Sequence, residues 1–518
     1  MTLFTAQNFT HMSQTRLPPE VWLNIVRYSS RHDVLYNLSY VSSEFNRYAN
    51  TLLYCSIEWE WQEVPFHCIL RLLENLVTYP ELGRYICYLR IERTDPFLNY
   101  DWEPPRRERY WRYRVPSEHG ELYQRLRNHI FDLNLPDTTR WVEEVRHGNP
   151  YVFVALTLSF CSNLRYLSLD YSFVQMGGWP GRLITAAYNA TPAAHPRLPR
   201  TSRRRSSSLR RGRQMAGSGV RGIPRFEMLE KVFYGHNVPD TWHRGNSGPL
   251  YPQVHPHQFQ GLFYLPAVWS LGVWLRHPPT FAESPHRVLN IGRIRDLCIV
   301  RATIQETDIE QILRRATSVV WLHLGLSYHP VTGRPFQTPG NPVLNGLLAV
   351  RDTVALLSVG VEYEIIGFRH ALTDQDRRNW AQFYGFLHQF RRLVDVELPI
   401  QMLLGVNGHP TADRPTLGSV LPPTVSELVI RWDNWRAWPG WTRGQILGAI
   451  QQHLLNTLYL TPELEIVTVR MWRGLPVFPR DTQLLREQML GATGVEVAEY
   501  TDAMTRGLMP TRPGPLAW

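Results

Sequence analysis

Two histidines one residue apart, His255 and His257 in the run VHPHQF, are the closest this 518-residue chain comes to a metal-ligand pair. Imidazole nitrogens suit zinc, but a site needs three or four ligands, and no cysteine or carboxylate flanks the pair. The prolines around it read as a solvated loop. Five cysteines, Cys55, Cys68, Cys87, Cys161 and Cys298, are odd in number, scattered and never spaced as CxxC. That argues against both a zinc site and a disulfide framework, and fits a reducing compartment. The adjacent carboxylates Glu143 and Glu144 fall on what reads as a helix surface. No GxxxxGK[ST], GxSxG or HExxH occurs, and no GxGxxG opens a helix after a strand. No cofactor and no metal is expected, and the residues propose no catalysis.

The chain's other chemically distinctive feature is basic. Its formal charge is +10, and ten arginines lie between Arg197 and Arg225 in RLPRTSRRRSSSLRRGRQMAGSGVRGIPR, which has no acidic residue. The remainder is therefore formally neutral. A Ser/Gly/Arg-rich segment this poor in apolar side chains cannot offset its ordering entropy by burial, so residues 195–225 read as a disordered, solvated insertion. It also fits a nuclear-import patch, an RNA-binding arm, or a kinase site at Ser206 and Ser207 following Arg204 and Arg205. Lys231 is the sole lysine in the sequence, a bias that codon usage in a GC-rich genome explains.

Elements must hold whatever the surface does, and 43% hydrophobic residues suffice for a large core. The first residues, MTLFTAQNFTHMSQTR, lack a basic start and an apolar core, so no signal peptide is expected, and no apolar run reaches membrane-spanning length. Leu17-Pro18-Pro19-Glu20 places proline and an acid where a helix begins, with Val21, Trp22, Ile25 and Val26 following. Asp33 suits the N-cap of a second helix and Ser42 or Ser43 that of a third. Three short helices in about 45 residues are near the lower limit for an independent core, and their apolar residues lie on more than one face. The excess calls for a partner.

This stretch resembles an F-box: Leu17-Pro18-x-Glu20, Ile25, Asp33-Val34-Leu35, Val41-Ser42-x-x-Phe45 and Leu53-Tyr54 follow the family's order and gaps. Tyr28-Ser29 and Ser43 depart from it. The resemblance implies a docking surface for the adaptor subunit of SCF-type cullin–RING ubiquitin ligases. Leu17, Pro18, Ile25, Val26, Val34, Leu38, Val41 and Phe45 would form or support that surface.

Beyond it, one pattern recurs: apolar-x-x-apolar-x-apolar, starting at Ile86, Leu164, Leu229, Val268, Ile294, Val319, Val354, Leu393, Val425 and Leu464. Several instances follow a helix-like run. One helix–strand unit cannot bury its own apolar face, so such units stack, parallel strands inside and helices outside. The pattern is similar to the irregular leucine-rich-repeat-like domain that often follows an F-box in filamentous fungi, without an asparagine ladder and with a loose period. The expected fold class is mixed α/β: an N-terminal module over 16–60, then a distorted solenoid or arc over 61–500. Residues 1–15 and 501–518 read as flexible, and 94–115, 190–225, 235–261 and 328–345 as loop insertions. A doubly wound α/β enzyme is the competing fold.

What the resemblance implies is a non-catalytic substrate receptor of an SCF ubiquitin ligase, cytoplasmic or nuclear, linked through the adaptor to cullin and RING subunits. It would bind an unidentified protein target, and neither a membrane nor nucleic acid is an expected partner. Parallel-strand arcs usually bind through outward strand positions, which singles out Asp296, Trp321, His323, Asp395, Glu397, Glu427 and Arg431. The aromatic–basic insertion with Trp102, Tyr110 and Trp111 is a second candidate surface. In a receptor held beside a ubiquitin-transfer centre, near-absence of lysine would also remove acceptor sites. A scaffold acting outside ubiquitination, or a nucleic-acid-binding repeat protein using the Arg-rich loop, are the alternatives.

Overall fold

The structure, a computed structural model, describes residues 21, 24, 32–60, 66–92, 120–190, 222–236, 254–278, 290–328, 340–363, 378, 381–406, 415–432, 440–472 and 479–502. Its ten apolar runs all become strands, and each strand begins two residues after the run's first apolar position. They are β2 (Tyr88–Glu92), β3 (Tyr166–Asp170), β4 (Lys231–His236), β5 (Ser270–Val273), β6 (Asp296–Ala302), β7 (Trp321–Tyr328), β8 (Leu356–Tyr363), β9 (Asp395–Pro399), β10 (Glu427–Trp432) and β11 (Ile466–Trp472). Two further strands, β1 (Ser56–Glu60) and β12 (Glu496–Asp502), flank them. All twelve form one parallel sheet whose spatial order is the chain order. A doubly wound fold needs a point where that order reverses, and the described sheet has none. The arrangement is α/β and solenoid-like.

The register follows from the spacing. The first apolar residue of each run is buried at the turn into its strand, as Ile86, Leu164, Leu229, Val319 and Val425 illustrate. The second and fourth strand residues then point to one face and enter a single core: Leu89 and Ile91, Leu167 and Leu169, Leu322 and Leu324, Leu428 and Ile430. Just before each of the strands β1 to β10 one carbonyl accepts two amides of the next repeat. Cys87 N and Tyr88 N donate to Cys55 O, Val320 N and Trp321 N to Arg295 O, and Ser426 N and Glu427 N to Val394 O. This shared-carbonyl stack ties each repeat to its neighbour where the chain turns inward.

Helices cover the apolar face unevenly. Between β1 and β2 lies α3 (Phe66–Thr78; α1 and α2 are placed below), and between β2 and β3 lie α4 (Gly120–Asp132), α5 (Thr138–Arg146) and α6 (Pro150–Leu158). Every residue of α6 is buried, which explains why its sequence PYVFVALTL is apolar but for Thr157, whose hydroxyl donates to Phe153 O at 2.9 Å. After β3 come α7 (Tyr171–Gln175) and α8 (Trp179–Ala190), and later repeats carry α9 (Glu306–Arg315), α10 (Pro342–Ala349), α11 (Ile400–Leu404), α12 (Leu417–Val420), α13 (Arg443–Asn456) and α14 (Pro479–Thr493). Among the described residues, the links from β4 to β5 and from β5 to β6 carry 3-10 turns and no α-helix, Pro256–Gln258 with Gln260–Tyr264 and then Asn290–Arg293. A 3-10 turn, Phe386–Gln389, also precedes β9. Strand starts from β4 onward are 25 residues apart at the shortest (Asp296 to Trp321) and 39 at the longest (Lys231 to Ser270).

The structure moves several expected boundaries. Residues 56–60 belong to the sheet, because Ile57 is buried in the main core and β1 pairs with β2. Within 235–261, Gly235 and His236 complete β4, and Val254 and Phe259 are buried ahead of the 3-10 turn Gln260–Tyr264. Tyr328 ends β7, and Asn341 caps α10, its side chain accepting from Leu344 N at 3.2 Å. The expected insertion over 94–115 and the segment 195–221 lie outside the described residues.

Candidate functional site

The helices that precede the sheet are α1 (His32–Ser39) and α2 (Ser43–Leu53). Ser42 caps α2, accepting from Phe45 N at 3.2 Å, while Asp33, expected as a cap, sits inside the first turn of α1. The pair holds together through a small cluster of its own: Leu35 and Tyr48 are buried, with Leu38, Phe45, Leu52 and Leu53 packed against them. Val34 is half-buried. At the α1–α2 turn, however, Tyr40 is 72% and Val41 65% exposed, and Tyr36 lies beside them with 53% exposed. Tyr40 Oη donates to Tyr36 Oη at 2.7 Å, with ring centroids 5.1 Å apart. Of the eight expected docking residues, Val34, Leu38, Val41 and Phe45 are thus brought to this helix pair. Leu17, Pro18, Ile25 and Val26 lie outside the described residues.

The second candidate is the sheet face opposite the helices, formed by the first, third and fifth strand residues. Here the sequence reading needs correction. His323, Glu397 and Arg431, expected at the surface, are 4%, 4% and 1% exposed. They are third- or fifth-position residues of β7, β9 and β10, and they pair across the sheet rather than face solvent. His323 Nδ1 is 2.9 Å from Ser358 Oγ on β8, and Ser358 Oγ donates to Glu397 Oε2 at 3.2 Å. Arg431 and Arg470 of β11 both donate to Glu397 Oε1, at 2.9 and 2.6 Å. Burial alone would raise the Glu397 carboxyl, but Arg431 and Arg470 outweigh it and hold its pKa below the ordinary carboxylate value. Burial, with Arg431 adding to it, pushes the His323 imidazole down to about 3. Serine, histidine and carboxylate are therefore present together, but serine stands in the middle: its proton goes to a carboxylate already held by two guanidiniums. This geometry fixes register across five strands and does not activate the Ser358 oxygen.

The remaining predicted positions are the first residues of their strands. Asp296, Trp321, Asp395 and Glu427 are half-buried and line up along the entrance edge of the same face. Sequence reasoning overlooked the earlier half of this row. Tyr88 and Tyr166 stack with centroids 4.2 Å apart and planes 7° apart, Phe233 lies 5.9 Å beyond Tyr166, and Lys231 Nζ sits 4.7 Å over the Trp269 ring. The signal was available: in ICYLRI and LRYLSL a tyrosine occupies the same slot. Trp102, Tyr110, Trp111, Ser206 and Ser207 lie outside the described residues.

No family model matches this chain, and no curated protein matches it. Among the described residues, no group of three or more His, Cys, Asp or Glu is arranged to hold a metal ion. No described helix is long and apolar enough to cross a membrane. The five cysteines are free, with Cys161 and Cys298 buried.

Proposed function

We propose that this chain is the substrate-recognition subunit of an SCF-type cullin–RING ubiquitin ligase, with residues 17–54 acting as an F-box on the adaptor. The observation that supports it best is the exposed apolar tip of the α1–α2 pair. Val41, in the Val41-Ser42-x-x-Phe45 segment of the resemblance, is solvent-facing while its neighbours Leu38 and Phe45 fold inward. An isolated helix pair gains nothing from such a residue, whereas a helical partner would bury it, with a return of about 1.5–3 kcal/mol for a fully buried Val.

On this reading the protein acts by position. The N-terminal helices hold the adaptor, through it the cullin and RING subunits, and the partly exposed row from Tyr88 to Glu427 holds a protein target. Tethering raises the target's effective concentration at the ubiquitin-charged enzyme. No proton transfer or nucleophile on this chain is required, and the protein would work in the cytoplasm or nucleus. The test is co-purification of the adaptor with wild type, Leu17→Ala/Pro18→Ala, and Val41→Glu. Wild type retains the adaptor. Val41→Glu, at a position too exposed to unfold the helices, lowers capture at least about tenfold, as a charge placed in an apolar interface should. Equal capture of all three, or none by wild type, would remove the ligase assignment.

A further inference from the structure

A separate cluster lies beyond the carboxyl ends of β3 and β4, far along the chain from the F-box-like helices. Three elements meet there: the turn before α5, the first turn of α8, and the 3-10 turn Pro256–Gln258. Gly178 and Gly181 let that turn pack directly on α8, since a Cβ on either would run into Gln258. Trp141 and Trp179 form the floor, each 1% exposed, edge to face with centroids 4.7 Å apart. Arg182 lies over this floor, its guanidinium carbon 4.1 Å from the Trp179 ring centre and 5.7 Å from that of Trp141.

Arg182 is 7% exposed, yet its one ion pair among the described residues is long: Nη2 reaches Asp137 Oδ2 at 3.4 Å, and the Asp137 side chain is 64% exposed. Its Nη1 is buried and has no hydrogen-bond partner among the described residues. Nor does the buried Nδ1 of His255, whose ring lies 5.5 Å from that of His257. Arg140, with its guanidinium carbon 5.7 Å from the Trp179 ring centre, and His257 are exposed and form the rim. Glu144, the other acid near Arg182, already accepts from Asn149 Nδ2 at 2.7 Å. The loop reading of His255 and His257 therefore needs revision: one histidine is half-buried against an arginine.

A donor-only guanidinium nitrogen left unbonded in the interior costs on the order of its desolvation, so the site is built for an acceptor. A cation would be repelled by Arg140 and Arg182, which excludes a metal ion. We propose that Arg182 Nη1 and His255 Nδ1 bind an oxyanion, the carboxylate or phosphate group of a ligand that enters past Arg140 and His257, while the tryptophan floor supports the Arg182 guanidinium from below. The local electrostatics agree: burial, with Arg140 next, pushes Arg182 down to about 10, and burial, with Arg182 next, pushes His255 down to about 4. In both cases burial and the neighbouring cations outweigh the nearby Asp137 carboxylate. The proposal is independent of the ligase reading and holds whether or not the adaptor binds.

The experiment titrates the full chain with inorganic phosphate and, separately, acetate at constant ionic strength made up with chloride, reading the thermal midpoint. A saturable rise is expected with at least one of them, because a ligand that binds only the folded state stabilises it. A rise with phosphate alone assigns a phosphate group, and a rise with acetate a carboxylate; either supports the site. Arg182→Gln should abolish the effect. Arg140→Gln, at an exposed rim position, and His255→Asn should weaken apparent affinity roughly tenfold, which keeps the test meaningful if Arg182→Gln folds poorly. No anion-specific rise, or a rise unchanged in Arg140→Gln and His255→Asn, overturns the proposal and places any anion elsewhere, for instance on the arginines of 197–225.

Discussion

Glu397 shows how one residue decides the character of the sheet's open face. It accepts from Arg431, Arg470 and Ser358 while almost fully buried. Removing it leaves two guanidiniums in the interior with their shared acceptor gone, and breaking a buried pair from one side costs about 3–5 kcal/mol. Glu397→Ala should lose stability on that scale in urea unfolding, and a loss under 1 kcal/mol would mean the network is not what holds these strands. The same network predicts acid sensitivity. His323 titrates near 3 when folded and near its ordinary value of about 6.5 when unfolded. Between those values the unfolded chain binds the extra proton, so stability is complete above about pH 6.5 and falls as pH falls toward 3, by about 2 kcal/mol at pH 5 from this group. His453, lowered to about 4 by burial between Thr457 and Thr461, acts in the same direction. The urea midpoint should therefore drop between pH 7.5 and 5.0 and drop less in His323→Asn; parallel curves would refute this. At this scale little was legible. The types and rows of His323, Glu397 and Arg431 could be read, but not that they face one another, because cross-strand partners are 34 to 73 residues apart.

At the scale of elements the sequence is far more readable, and the reason is geometric. A strand in a stacked repeat must bury its second and fourth residues and the residue two before its start, and that three-point constraint writes the apolar-x-x-apolar-x-apolar run directly into the chain. All ten runs named above became strands, although the same spacing also occurs inside the buried helix α6, at Tyr151, Val154 and Leu156. Of the two end strands, β1 fills the three slots with Tyr54, Ile57 and Trp59, and β12 does not fill them. At β12 the first slot is Gly494, at φ 76°, and the last is Glu499, which pairs with Arg443 at 2.9 Å. Helices were harder to place because some repeats bridge with a 3-10 turn, whose few residues show no helical period. Boundaries between module and repeats also blurred, since β1 follows α2 within three residues. The shared-carbonyl stack supplies a test of the element. Val320 N donates to Arg295 O at 2.8 Å, and Val320→Pro deletes that donor while keeping an apolar side chain at a partly exposed site. The freed carbonyl still accepts from Trp321 N, so a cost of about 1–3 kcal/mol is expected. Val320→Ala should cost less than Val320→Pro; equal effects would show that the side chain, not the hydrogen bond, matters there.

At the scale of the whole molecule, a sheet whose spatial order equals its chain order has a direction-dependent stability that a doubly wound domain lacks. Each repeat touches chiefly its two neighbours, so stability approximates a sum of repeat and interface contributions. Interior strands such as β7 bond on both sides, to β6 and β8, over long stretches: eight residue pairs join β7 to β8 from Trp321 to Tyr363. Among the described residues, the end strand β12 pairs only with β11, and β1 only with β2. Opening an end repeat breaks one interface, whereas opening β7 breaks two. Native-state hydrogen exchange should accordingly be graded: amides of β6 to β8 exchange slowest, protection declines toward β1 and β12, and low denaturant steepens the gradient by releasing the ends first. The prediction has a sharp alternative. If the single buried core that runs from Ile57 to Val497 acts as one cooperative unit, all protected amides will exchange through a single global opening with one free energy and one denaturant dependence. A uniform pattern would show that α3 to α8, massed on the early repeats, tie the sheet into a conventional domain. A graded one would show that the repeats, not the helices over them, set its cooperative units.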